Sequence, residues 1–149
     1  MWIYLVHHAH ALPGEEDARR PLSPAGAAAA DELATEAATR GCKPAAIWHS
    51  GKLRAKQTAE PFWRRCNALA DFRAVRNLQP EDPPEWIRDE VQAEERDIML
   101  VGHMPHIDRL LWLLSGAKNE HGFAAFPKHG VVALERTATG WQEQWRLAP

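Results

Sequence analysis

The stretch Ile3-Tyr4-Leu5-Val6-His7-His8-Ala9-His10 decides how the rest of the chain is read. Ile3 to Val6 is continuously apolar and partly β-branched, the pattern of a short strand buried on both faces of a parallel sheet. Histidines follow directly. In such sheets ligands bind outside the carboxyl ends of the strands, so the next question is what ends the other strands. Ala45 to His49 is a second apolar run, followed by the turn Ser50-Gly51, with Arg54 just beyond. Ile98 to Val101 is a third, ended by Gly102 and followed by His103. A single histidine at a strand end is ordinarily a surface or capping residue. At three strand ends, histidines and an arginine would form a compact cationic pocket. A phosphoryl group suits it, because arginine binds phosphate bidentately and histidine can donate, accept or attack.

The segments between these strands read as helices and loops. A polar loop runs from about Leu12 to Pro21 and contains the acidic run Glu15-Glu16-Asp17. Ser23-Pro24 is an N-cap with proline at the first helical position. It opens an alanine-rich helix over Ala25 to Thr39, closed by Arg40-Gly41. Leu53 to Leu69 is expected to be helical, with a kink or break at Pro61. Arg54 falls in its first turn, where the helix dipole disfavours a cation, so a compensating anion is expected beside it. Phe72 to Pro84 reads as irregular, with Pro80, Pro83 and Pro84 marking a loop. Glu85 to Glu95 reads as a solvated helix and Pro105 to Leu114 as an amphipathic one. Val131 to Leu134 and Trp141 to Leu147 suit a C-terminal hairpin, with Trp141, Glu143, Trp145 and Leu147 alternating onto one face. Strands alternating with helices argue for an α/β layered sheet with an antiparallel edge.

Composition narrows the function classes. The 149 residues, 45% hydrophobic and 26% charged, are of ordinary globular composition and are expected to form one domain, 1–149. A net charge of −2 provides no general field for nucleic acid or an anionic membrane, so neither is an expected partner. The N-terminal apolar run has no basic flank and is soon interrupted by histidines, and no apolar stretch approaches bilayer length, so a cytoplasmic location is expected. Cys42 and Cys66 form no C-x-x-C pair; two free thiols are the simple reading, with a disulfide left open.

Four elements in order resemble the histidine phosphatase superfamily. Leu5-Val6-His7-His8-Ala9-His10-Ala11 is similar to its opening Leu-Val-Arg-His-Gly or Arg-His-Ala. Arg20-Pro21-Leu22-Ser23-Pro24-Ala25-Gly26 resembles the Arg-Pro-Leu-Ser/Thr-x-x-Gly element of the SixA-like branch. Ser50 to Glu60 resembles Ser-x-x-x-Arg-Ala-x-Gln-Thr-Ala, and Val101-Gly102-His103-Met104-Pro105 resembles Val-Gly-His-Asn/Glu-Pro. The resemblance implies a phosphoglycerate mutase-like fold: a three-layer α/β/α arrangement with a mixed, mostly parallel sheet and an antiparallel edge strand. It implies that His8 attacks phosphorus, that Arg54 binds phosphate and that His103 donates to the phosphoryl oxygens. Arg20 would lie at the pocket rim or serve structurally. No metal or cofactor is implied. The implied partners are a phosphorylated protein of a signalling relay, such as a histidine phosphotransfer domain, or a small phosphorylated metabolite.

The chain departs from the family pattern where His7 stands in place of arginine. Histidine lacks the permanent charge and the planar fork. A lost charge-assisted bond is worth roughly 1.5–3 kcal/mol, on the order of ten- to a hundredfold in rate or binding. A phosphate-bound His7 held protonated would restore part of this, so activity is expected to rise as pH falls through about 6.5; Lys52 or Arg20 are other candidates for the missing cation. A general acid is not evident beyond Glu81 and Asp82, which favours a readily protonated phosphoramidate leaving group. Two other readings stay open at this point. One is a phosphate-binding scaffold or sensor without turnover. The other is a metal module using His8, His10 and either His7 or His103.

Overall fold

The computed structural model describes residues 1–116 and 125–149, and between them only the backbone of two short paired strands, Lys118–Asn119 (β5) and Gly122–Phe123 (β6). The principal strands are β1 (Trp2–His7), β2 (Ala46–His49), β3 (Asp71–Ala74), β4 (Ile98–Gly102), β7 (Val131–Thr137) and β8 (Gly140–Leu147). They form one six-stranded sheet in the order β3-β2-β4-β1-β7-β8. β1 to β4 are mutually parallel, β7 runs antiparallel to β1, and β8 runs antiparallel to β7 and so in the direction of β1. Helices α1 (Pro24–Thr39), α2 (Leu53–Cys66), α3 (Pro84–Ala93) and α4 (His106–Ser115) cover the sheet. Leu33, Ala34 and Ala37 of α1 and Ala55, Ala59 and Phe62 of α2 pack with Tyr4, Val6, Met99 and Val101 on one face. Ile87 and Val91 of α3 and Ile107, Leu110 and Leu111 of α4 pack with Ile3, Leu5, Ile98 and Leu100 on the other. Both faces are therefore dry, which explains the unbroken apolar runs of the central strands.

Several expectations change. The segment read as irregular from Phe72 contains the edge strand β3, parallel to β2. Its residues are mostly exposed, so it carries no apolar run to read. Pro61 neither breaks nor ends α2, which runs through it and stops at Cys66 rather than Leu69. α3 is anchored by two fully buried residues, Ile87 and Val91, rather than being merely solvated. In the terminal hairpin Ala133 pairs with Trp145 and Leu134 with Glu143, so Gln144 is skipped and forms a bulge. The bulge reverses the alternation. Trp141 packs with Leu134 in one core, while Leu147 and Trp145 join the other. Cys42 and Cys66 are free thiols.

Helix α1 begins as its sequence dictates, with the Ser23 hydroxyl accepting from the Gly26 N–H at 3.0 Å. Gly26 itself is required for a different reason. A Cβ there would lie 2.2 Å from the His10 carbonyl oxygen, a backbone atom that cannot swing aside. Glycine-to-alanine inside a helix ordinarily stabilises by roughly 1 kcal/mol. Here Gly26→Ala is expected to destabilise instead, by about 1–3 kcal/mol, seen as a lower urea midpoint.

Candidate active site

The strand order places β2, β4 and β1 side by side, so their carboxyl ends open at one edge of the sheet. The His8 N–H donates to the Gly102 carbonyl at 3.0 Å, which fixes the residue after β1 beside the end of β4. The His8 and His103 rings stand 5.1 Å apart between centroids, and the His7 and His8 rings 4.6 Å apart. Arg54, at the second position of α2, is 5% exposed. Its charge acts on His7, His8 and His103 together. Thr58, one turn further along α2, accepts from the Ala9 N–H at 2.9 Å and so ties the helix to the loop carrying His8. Gln57 accepts from the Leu22 N–H at 2.8 Å. These two bonds give the Gln-Thr pair of the third element a positioning task that its sequence alone does not disclose.

The anion expected beside Arg54 is the chain's own Asp17, from the 3-10 turn Asp17–Arg19. Arg54 donates to the Asp17 carbonyl at 2.8 Å and lies 3.2 Å from its carboxylate. Lys52 and Arg20 reach the same carboxylate, and Lys52 and Arg54 hold its titration well below the usual range. Arg20 also donates through Nε to the Leu12 carbonyl at 2.9 Å, so it clamps the loop after β1. Neither Glu81 nor Asp82 has a described contact with His7, His8 or His103, and the histidine on which the Asp82 carboxylate acts is His106. Glu81 is exposed, and Asp82 accepts from the Gln79 N–H at 2.9 Å in its own turn. His49 does not join the cluster either. Its Nδ1 accepts from the Gly51 N–H at 3.1 Å, and its ring packs 5.2 Å from Phe72. Ser50 takes its place, with Oγ 2.6 Å from Nε2 of His103.

A residue outside the sequence-based candidates completes the group. His129 sits in the turn before β7 with φ 58, and its ring stacks on His7 with centroids 4.8 Å apart and planes 13° apart. Its backbone N–H donates to Nδ1 of His7 at 2.8 Å. Its own Nδ1 lies 2.7 Å from the His8 carbonyl, which can only accept. The sole sequence cue was a histidine beside a glycine at the start of a strand. The nitrogens of His7, His8 and His129 lie within 4.8 Å of one another. Ligands on a tetrahedral zinc at 2.0–2.1 Å are separated by roughly 3.3 Å, and His7 Nδ1 is already engaged, so the trio is a poor metal cage as it stands. His10 turns instead to Ser23 Oγ at 2.8 Å.

These hydrogen bonds assign tautomers. His8 Nδ1 is 2.7 Å from the Ala9 carbonyl and must carry the hydrogen, leaving the lone pair on Nε2. His7 accepts at Nδ1 and therefore carries its hydrogen on Nε2. Burial is the chief cause that lowers His7 to about 3 and His8 to about 4, with Arg54 and neighbouring histidines adding to it. The expectation that a protonated His7 replaces the missing arginine's charge, with activity rising as pH falls through about 6.5, is corrected here. His7 is 6% exposed and its Nδ1 is occupied, so it offers a neutral N–H donor.

The same shifts make a prediction about folding. Unfolded histidines take up protons near 6.5, so below that pH the unfolded state binds more protons and stability falls. The contribution of His8 and His7 is complete above about 6.5 and is lost as pH falls towards their folded values of about 4 and about 3. The melting temperature, followed by circular dichroism, is expected to decline steadily from about pH 7 to about pH 4.5. His7→Asn, which retains an acceptor for the His129 N–H, is expected to flatten that decline.

No family model matches the sequence, and no curated protein sequence matches it. Solved structures do. The protein histidine phosphatase SixA complexed with tungstate superposes with TM-score 0.88 at 18% identity, over 99% of this chain and 97% of that one. SixA from Agrobacterium tumefaciens superposes with TM-score 0.84 at 30% identity, over 99% and 97%. A mycobacterial glucosyl-3-phosphoglycerate phosphatase shares the fold at TM-score 0.73 and 16% identity, over 99% of both chains. With the four sequence elements meeting at one sheet edge and a 30% identical relative matched along nearly its whole length, the chain belongs to the SixA-like branch of the histidine phosphatase superfamily.

Proposed function

We propose that the chain is a phosphohistidine phosphatase that works through a phosphohistidine intermediate on His8. One observation carries this reading: two buried polar atoms, Arg54 Nε and His103 Nδ1, have no hydrogen-bond partner among the described residues, and they belong to side chains grouped around the Nε2 lone pair of His8. Buried donors of this kind call for an acceptor, and a phosphoryl group supplies several. The Ser50 hydroxyl accepts from the Lys52 N–H and can donate its hydrogen to His103 Nε2, which leaves Nδ1 of His103 as an N–H donor. His7 Nε2–H is a further donor.

In the first step the Nε2 lone pair of His8 forms a bond to phosphorus while the bond to the leaving nitrogen or oxygen breaks. The leaving atom takes that electron pair and a proton from solvent. In the second step a water oxygen attacks phosphorus, the N–P bond breaks, its pair returns to Nε2, and phosphate leaves as the water returns a proton to solvent. Charge on the phosphoryl oxygens is offset by Arg54, His103 and His7. The depressed value of His8, about 4, keeps its lone pair available at neutral pH. Since neither Asp82 nor Glu81 has a described contact with His7, His8 or His103, no carboxylic acid among the described contacts is placed to protonate a poor leaving group. This favours a phosphoramidate, such as phosphohistidine on a protein partner, over an alkyl phosphate.

The test compares the native chain with His8→Ala on a phosphohistidine protein and on an aryl phosphate. The native chain is expected to release phosphate from the first more readily. His8→Ala is expected to lower turnover roughly a thousandfold or more, with loss of the acid-labile phosphoprotein seen by 31P NMR. Phosphate release undiminished in His8→Ala would refute the assignment. Binding of phosphate by the native chain without turnover of either substrate would favour a scaffold.

A further inference from the structure

His129 has no place in the four sequence elements, yet it touches both His7 and His8. Its left-handed backbone aims the N–H at His7, and its Nδ1–H at the carbonyl of His8 itself. Gly130 follows at a position where a Cβ would lie 2.4 Å from the Leu147 carbonyl oxygen, so the turn is pressed tightly against β8 and its freedom to shift is small. Four rings from two parts of the chain are thus held in one group: His129 is stacked on His7, 6.0 Å from His8 and edge-on to His10 at 6.2 Å.

With Nδ1 donating to a carbonyl, the neutral His129 ring keeps a lone pair on Nε2. The nitrogens of His7, His8 and His129, spread over up to 4.8 Å, are too far apart for one small cation, but a phosphorus held at the His8 lone pair would bring one of its oxygens within reach of the His7 and His129 nitrogens. A lone pair facing an oxyanion repels it. The contact becomes attractive only when a proton lies between them, on the imidazole or on the phosphoryl oxygen.

We propose that His129 is a phosphoryl-binding residue of this site, contacting the substrate's oxygen through Nε2 with one shared proton. This rests on the phosphatase reading above and extends it. His7 contributes a fixed neutral N–H and His129 a donor that arrives with a proton, so the stacked pair does the work of the arginine that the family pattern has before the nucleophile. The charged and titratable groups around His129 are His7 and His8 from the end of β1, His10 from the loop that follows, and Lys128 in its own turn; Arg54 acts on His7 and His8 from α2.

The test is calorimetric titration of the full chain with tungstate at about pH 8, in buffers of differing ionisation enthalpy, comparing the native protein with His129→Asn. Asparagine tolerates the left-handed backbone and retains a side-chain N–H for the His8 carbonyl. His129→Gly serves as a second variant that relieves the backbone and keeps the N–H to His7. Both variants are expected to bind tungstate roughly tenfold or more weakly and to take up close to one proton fewer per anion bound. Equal affinity and equal proton uptake, with tungstate still bound, overturn the role of His129 and leave the phosphatase reading standing. Failure of the native chain to bind tungstate overturns both.

Discussion

A guanidinium cannot shed its proton to escape burial, so Arg54, at 5% exposure, has to be compensated where it sits. Asp17 does part of this from a turn 37 residues earlier in the chain, and that requirement shapes the surrounding backbone. The acidic loop must fold back over the start of α2. It is closed at its base by the Leu12 N–H donating to the Pro21 carbonyl at 2.8 Å and by the bridge between Ala11 and Leu22. Lys52 and Arg20 share the same carboxylate, so cationic charge exceeds anionic charge at this edge of the sheet. That edge is locally cationic although the whole chain carries a net charge of −2.

The buried positive charge also decides the state of the histidines. Rings crowded beside Arg54 and removed from water are held neutral. A neutral imidazole divides its two nitrogens into one donor and one acceptor, and a backbone partner determines which is which. The Ala9 carbonyl leaves His8 with a lone pair on Nε2, suited to attack. The His129 N–H leaves His7 with a hydrogen on Nε2, suited to donation. Adjacent residues of the same type thus receive opposite chemistry from their backbone surroundings.

The antiparallel part of the sheet reaches this chemistry through its entry turn. β7 pairs with β1 head to tail, so the residues before Val131 arrive at the carboxyl end of β1. The His7 N–H donates to the Gly130 carbonyl at 3.1 Å, which locks the turn to the strand end. A strand that would otherwise only extend the sheet therefore carries a histidine to the site from 121 residues away.

The sequence by itself determined the elements whose signal is local. The apolar runs of β1, β2 and β4 read directly because both their faces are dry, and Ser23-Pro24 and Arg40-Gly41 bound α1 through local capping chemistry. His8, Arg54 and His103 were legible for a related reason: each stands at a strand end or helix start that can be located from the pattern alone, within a short recognisable element. β3 was not legible, since an exposed edge strand needs no apolar run, and the face of Trp145 depends on a bulge set by pairing with Ala133. Only the tertiary structure turned His49 toward Phe72 and away from the cluster, joined Asp17 to Arg54, made His7 a neutral donor and brought in His129. The physical reason is common to all four. A side chain's charge and hydrogen-bonding role are fixed by partners across space, whereas strand and helix propensity is fixed by neighbours along the chain.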